Sequence, residues 1–231
     1  MSEVKLNWRP ATRPSRQPLT GELVRLEPLA PRRHGRELYE ASHADGVAAT
    51  LFRHLPYGPF EGEPDFMRWL EGCAATDDPL FYAVVDRASG NPQGMASFLR
   101  MVPEHGVIEV GHIWFAPAIQ RTRHATEAIY LMSRHAFDDL GYRRFEWKCD
   151  SLNEPSRHAA ARFGFIYEGV FRQHLVVKDR NRDSAWFSML DGEWPLVRAA
   201  FEAWLAPDNF DTSGRQRQSL ASLREEIRRS E

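Results

Sequence analysis

The run Gln120-Arg121-Thr122-Arg123-His124-Ala125-Thr126 puts Arg121, Arg123 and His124 at the start of a long helical pattern. A helix start presents backbone N–H groups that have no partner inside the helix, together with the positive end of the helix dipole. A short loop feeding that end can cradle a pyrophosphate. By itself the turn is equally well read as a basic, solvated helix start. Further along comes Asn153-Glu154-Pro155-Ser156, then a short helix, then Arg162-Phe163-Gly164-Phe165 and Glu168-Gly169. A third polar group, Arg180, Arg182 and Asp183, falls in a hairpin. It either orders the turn or lines an acceptor groove.

These residues need a frame of strands and helices. Residues Met1 to Thr20 hold three prolines and no apolar period, so they read as an arm that lies over the domain or is disordered. Leu23 to Leu29 alternates apolar and polar, as a half-buried strand does. Helical periods follow over Arg32–Ser42 and Pro64–Ala74, with the Pro- and Gly-rich stretch His54–Glu63 between them as a loop. Three strands come next, Phe81–Asp86, Gly94–Arg100 and Val107–Phe115, separated by turn-forming residues, which predicts an antiparallel meander. Thr122–Leu140 is a long helix closed by Gly141, Arg144–Lys148 a strand, and Glu154–Phe163 a helix closed by Gly164. Strands Phe165–Val177 and Ser184–Leu190 flank a charged turn. Glu193–Trp204 is a last helix before a polar tail.

Composition narrows the field. The 231 residues carry 30 basic and 32 acidic side chains, a formal net charge of −2, which gives no footprint for a nucleic-acid binder. A hydrophobic fraction of 42% suits a packed domain. No apolar run is long enough to cross a bilayer, and the N-terminus has no signal-peptide pattern, so no membrane partner and a cytoplasmic location are expected. Cys73 and Cys149 have neither disulfide nor metal-site spacing, and no metal is expected.

The Gln120–Ala125 loop resembles the pyrophosphate loop of the GNAT N-acetyltransferase superfamily, Q/R-x-x-G-x-G/A. Asn153-x-x-Ser156 with Gly164-Phe165 and Glu168-Gly169 resembles its RimJ/RimL branch. The resemblance runs from about Gly21 to Trp194. It implies an α/β (α+β) fold with a mixed, largely antiparallel sheet of six to seven strands, flanked by helices and splayed between the central strands ending at Phe115 and at Lys148. The division it gives is an arm (1–20), the acetyltransferase domain (21–194), and a C-terminal helix with a polar tail (195–231).

It also implies roles. Acetyl-CoA is the co-substrate. Ile113, Trp114 and Phe115 would pair with the pantetheine arm through their backbone. Gln120, Arg121, Thr122, Arg123, His124, Ala125 and Thr126 would hold the pyrophosphate. Asn153 would bind a pantetheine amide, and Ser156 would donate a proton to the departing thiolate. Three positions depart from the pattern: Arg123 replaces the first motif glycine, Ala160 stands where many relatives have a tyrosine, which leaves the acid role to Ser156, and Leu175 stands where the branch has a glutamate. Candidates for the general base are then Glu109, His112 and His174. Alternation along the strand puts Glu109 and Gly111 on one face and His112 on the other.

The acceptor pocket is expected between the Arg32–Ala74 region and the Phe165–Leu190 hairpin, walled by Tyr57, Phe60 and Trp69. A neutral or ammonium acceptor suits it, since the Glu109 carboxylate would repel an acid. The acceptor is a protein N-terminus, a peptide or a small-molecule amine, and a homodimer stays open. The competing reading is a non-catalytic acyl-CoA-binding or regulatory module.

Overall fold

Period-2 segments joined by tight turns pair with their neighbours in the chain, and one helical crossover interrupts them. The computed structural model describes residues 6–44 and 46–230. Its strands are β1 (Leu19–Thr20), β2 (Val24–Pro28), β3 (Leu80–Asp86), β4 (Pro92–Val102), β5 (Val107–Phe115), β6 (Arg144–Asp150), β7 (Ile166–Val177) and β8 (Arg180–Leu190). They form one sheet in the order β1-β2-β3-β4-β5-β6-β8-β7. Only β5 and β6 run parallel, because the helix α4 (Arg123–Arg134) crosses between them. The other helices are α1 (Pro31–His43), α2 (Val47–Leu51), α3 (Glu63–Ala74), α5 (Glu154–Arg162), α6 (Trp194–Leu205) and α7 (Leu220–Ser230).

The sheet has eight strands rather than six or seven. The extra one is β1, inside the segment read as an arm, where buried Leu19 pairs with Leu26. Residues 6–18 lie on the domain: the Trp8 indole donates to the Glu104 carbonyl at 2.9 Å, and the Thr12 N–H to the Leu140 carbonyl at 2.8 Å. Met1–Lys5 fall outside the described residues. The segment read as a polar tail contains α7, which packs against α6 and buries Leu220 and Leu223. Helix α2 had no counterpart in the sequence reading.

Two cores lie on opposite faces of the sheet. On one, α4, α5, α6 and α7 cover Phe98, Val110, Phe145 and Phe201. On the other, α1 and α3 bury Leu38, Phe66, Leu70, Phe81 and Trp114 over the β2–β5 half. Gly21 shows how tightly α4 meets β2. The Glu127 carboxylate of α4 accepts from the N–H groups of Glu22, Leu23 and Val24 at 2.7–2.8 Å, and a Cβ on Gly21 would lie 2.5 Å from it.

The parallel ladder runs from Val107 opposite Arg144 to Val110 opposite Trp147 and then stops. At that point β5 bulges against β4: the register shifts between Met95 and Ser97, and His112 has φ +52°. A bulge bends its strand and increases its twist, so β5 from Gly111 to Phe115 leaves β6.

The last closed rungs carry charge. Phe145, Trp147 and Cys149 of β6 face the α4 side, so Glu146, Lys148 and Asp150 face the other. Lys148 Nζ lies 2.9 Å from Glu109 and 2.7 Å from Glu146, which oppose each other across β5 and β6. Arg100 also holds Glu109, and Arg144 joins Glu146 to Glu168. Lys148 is buried with Nζ 3.7 Å above the Trp186 ring. Removing one partner of a buried ion network leaves uncompensated charge, on the scale of about 3–5 kcal/mol. Lys148→Met is expected to lower stability by that order in denaturant titration. A midpoint equal to wild type would show that the lysine does not hold the two strands.

Candidate active site

A cleft of about 1890 Å³ opens along the splay. Single small-ligand pockets measure roughly 300–1,000 Å³, so this cleft has room for two substrates. One end is built by the turn before α4. Thr122 caps the helix, its hydroxyl accepting from the His124 N–H at 3.2 Å. The N–H groups of Arg121, Arg123 and Ala125 take no backbone partner among the described residues, which leaves an anion-binding helix start. Gln120 closes the turn by donating to the Phe115 carbonyl at 2.7 Å.

The three positive side chains of the turn go different ways. Arg121 is exposed and has the left-handed φ of +59°. His124 lies 3.4 Å from Asp86. Arg123 donates to the Leu205 carbonyl at 2.7 Å and its guanidinium lies 4.6 Å from the Phe210 ring centroid. Arg123 is the first residue of α4. The site that a glycine would fill is therefore an ordinary helical one, and the left-handed residue of the turn is Arg121. Arg162 adds a contact from α5, donating to the Thr126 hydroxyl at 3.1 Å.

Across the splay, β6 leads into α5. The Asn153 side chain caps that helix, accepting from the Ser156 N–H at 3.2 Å. The Ser156 hydroxyl is therefore not the cap. It accepts from the Trp147 indole at 3.0 Å, so its own O–H is a donor, directed beside the Cys149 thiol. Opposite, β5 from Gly111 to Phe115, including Ile113 and Trp114, has an edge that β6 does not pair.

The face opposite α4 and α5 holds the titratable groups. Glu109 is buried, with Oε2 at 2.9 Å from both Arg100 and Lys148. The bulge brings His112 to this same face, not to the opposite one as plain alternation would have it: its ring lies 5.0 Å from Phe81 and 5.6 Å from Tyr57. Burial, helped by Arg100 and Arg182, pushes the His112 pKa down to about 4, and its Nδ1 is buried without a partner. His174 shares a 2.9 Å hydrogen bond with the Ser184 hydroxyl, and burial with the positive charges of Arg100, Arg182 and Lys148 lowers its pKa. Leu175 lines the cleft and brings no carboxylate.

A fourth candidate escapes motif reading. His54, just after α2, has Nδ1 3.1 Å from Asp150 Oδ2, and the Leu152 N–H donates to the other Asp150 oxygen at 2.9 Å. A carboxylate accepts, so Nδ1 carries the proton and Nε2 presents a lone pair. Both residues line the cleft.

The apolar walls also differ from expectation. Tyr57, Phe60 and Trp69 pack on one another, with centroids 4.3 Å apart for Tyr57–Trp69 and 5.0 Å for Phe60–Trp69, and do not line the cleft. Val47, Leu51 and Leu55 take that place.

The family model described as the acetyltransferase (GNAT) domain matches residues 24–166. The chain belongs to the GNAT acetyltransferase family. A GCN5-related N-acetyltransferase structure from Brucella melitensis is 49% identical, with a TM-score of 0.93, over 95% of this chain and 99% of that one. A structure described as a probable GNAT-family acetyltransferase from Chromobacterium violaceum ATCC 12472 is 46% identical, with a TM-score of 0.78, over 84% and 96%. YdaF of Bacillus subtilis (strain 168), a candidate ribosomal N-acetyltransferase, is 28% identical over 131 residues, 57% of this chain and 68% of that protein.

As a GNAT enzyme, the chain uses acetyl-CoA as acetyl donor. The open β5 edge, the unclaimed N–H groups before α4 and exposed Arg121 fit an extended, anionic donor. Among the described residues no group of His, Cys, Asp and Glu is placed to hold a metal ion, and no helix is long and apolar enough to cross a membrane. Cys73 and Cys149 are buried free thiols pushed up by burial, Cys73 to about 12.

The His112 shift has a measurable consequence. A histidine pKa lowered from 6.5 to about 4 means that the folded state binds the proton less readily than the unfolded one. The stability this contributes is fully present above pH 6.5 and is lost as pH falls toward 4. The thermal midpoint of wild type is expected to fall more steeply across that window than that of His112→Gln. Parallel curves would place His112 in water rather than in the bulge.

Proposed function

We propose that this GNAT enzyme transfers the acetyl group of acetyl-CoA directly to an amine, with both substrates held in the cleft at once. The observation that carries the reading is the splay: it connects the α4 and α5 starts on one face of the sheet with a polar, half-buried pocket on the other. An amine is a sufficient nucleophile for a thioester, so alignment supplies most of the rate. In this reading the turn Gln120 to Thr126 and the β5 edge hold the donor, and the Asn153 side-chain NH₂ reaches the pantetheine.

Two proton transfers remain. Ser156, whose hydroxyl oxygen accepts from the Trp147 indole and whose O–H is a donor, gives a proton to the departing thiolate. The incoming ammonium must lose one. Glu109 is engaged by two cations, and His112 at about 4 is a weak base. His174 stays a candidate, with a lowered pKa. His54 is better arranged, since Asp150 fixes its tautomer and aims a free lone pair, the arrangement that makes a histidine an effective base. The acceptor class includes protein N-termini, in keeping with the similarity to YdaF.

The test is free-thiol release from acetyl-CoA with a mixed pool of amines. Ser156→Ala and His54→Gln are each expected to lower kcat by roughly 10²-fold, with acetyl-CoA affinity little changed. A comparable loss in His174→Gln, with His54→Gln at the wild-type rate, would make His174 the base instead. Arg121→Glu is expected to weaken acetyl-CoA binding about tenfold, as loss of a charge-assisted contact does. Acetyl-CoA binding without amine-dependent thiol release would make the chain a non-catalytic binding module.

A further inference from the structure

Arg182, near the start of β8, is a half-buried cation on the acceptor face that forms no ion pair among the described residues. Arg100, Arg144 and Lys148 each hold a carboxylate within 3 Å. Arg182 makes no ion pair and no side-chain hydrogen bond among the described residues, and its Nε is sealed from solvent without a partner. The group is half-buried and lines the cleft. The groups that face it are known. Asp150 acts on it through space without a contact, and accepts from His54 and the Leu152 N–H. Glu109 is held by Arg100 and Lys148. Beside it lies His112, whose Nδ1 is also buried and unpartnered.

A half-buried guanidinium without a carboxylate is unfavourable unless something else satisfies it. Its planar fork matches a carboxylate or a phosphate through two parallel hydrogen bonds. The Glu109 carboxylate, which would repel an acid, is held inside the sheet by Arg100 and Lys148. Arg182, together with Arg100, helps lower both His112 and His174, so its positive field reaches the acceptor face.

We infer that Arg182 recognises an anionic group, a carboxylate or a phosphate, borne by the acceptor near its amine. The inference rests on the transfer reading for the identity of the second ligand, but the subsite can be measured without turnover.

Two matched pairs of acceptors serve as probes: an amino acid against its carboxamide, and phosphoethanolamine against ethanolamine. Each is titrated calorimetrically into the enzyme saturated with CoA, and each is assayed for thiol release. The anionic member of at least one pair is expected to bind, and to be used, about tenfold or more better than its neutral partner, on the scale of a charge-assisted bidentate contact. The pair that shows the preference tells carboxylate from phosphate. Arg182→Gln is expected to abolish the ratio, chiefly through KM. Arg182→Lys, which keeps the charge but not the fork, is expected to restore only part of it.

Equal affinity of wild type for both members of both pairs overturns the inference, as does a ratio that survives in Arg182→Gln. Anion binding that depends on Arg182 without thiol release would sustain the subsite and sink the transfer reading.

Discussion

Lys148 sits where the sheet stops being continuous. Glu109 and Glu146 face each other across the parallel pair β5 and β6, and like charges directly opposite push strands apart. Lys148 reaches both, so the repulsion becomes a clamp. Arg100 and Arg144 extend the alternation of sign outward to β4 and, through Glu168, to β7. Glu168 is held down to about 2, first by the Arg144 hydrogen bonds and then by Ser188. One rung beyond the clamp, the ladder ends and the bulge at His112 carries β5 away. The strands are therefore pinned at the point from which they must diverge, and the cleft opens without loosening the sheet behind it.

That arrangement divides the work between two faces. On the α4 side, the groups that suit the donor are mostly backbone N–H groups and an open strand edge, which need little side-chain chemistry. On the other side, the helices α1 and α3 cover only the β2–β5 half. The β6–β8–β7 half keeps Lys148, Asp150, Arg182, Ser184 and His174 under a partial roof made by α2 and the residues after it. The shelter is enough to shift histidine pKa values while leaving the groups within reach of a small molecule. The roof also brings His54 to Asp150, so the element that limits water is the one that carries the proposed base.

What could be read from the sequence follows from which interactions are local. Alternation and turn residues predicted β2 to β8, and the strand–turn–helix succession located the α4 start, because period and capping are short-range. The two-residue β1 and the five-residue α2 are too short to show a period. Helix α7 reads as polar because only Leu220 and Leu223 of its residues are buried. The face of His112 was missed because one bulged residue inverts the alternation beyond it. His54 and Asp150 stand 96 positions apart, and no motif links them. The expected aromatic walls failed because Tyr57, Phe60 and Trp69 satisfy one another.

The arginine at the motif glycine shows how a departure from a pattern can be a gain elsewhere. A glycine at residue 123 would have no side chain with which to tie the α4 start to the C-terminal segment. Arg123 instead ties it to the C-terminal segment, through the Leu205 carbonyl and the Phe210 ring. The same segment meets α5 twice: Arg162 lies 4.7 Å from the Trp204 ring centroid, and Arg224 of α7 donates to the Arg162 carbonyl at 3.2 Å. Residues beyond the matched family region, 24–166, thus brace both helices that flank the splay on the donor side. Such bracing holds the spacing of the two helix starts by packing rather than by the turn's own backbone. The left-handed residue of the turn is Arg121, whose side chain is exposed.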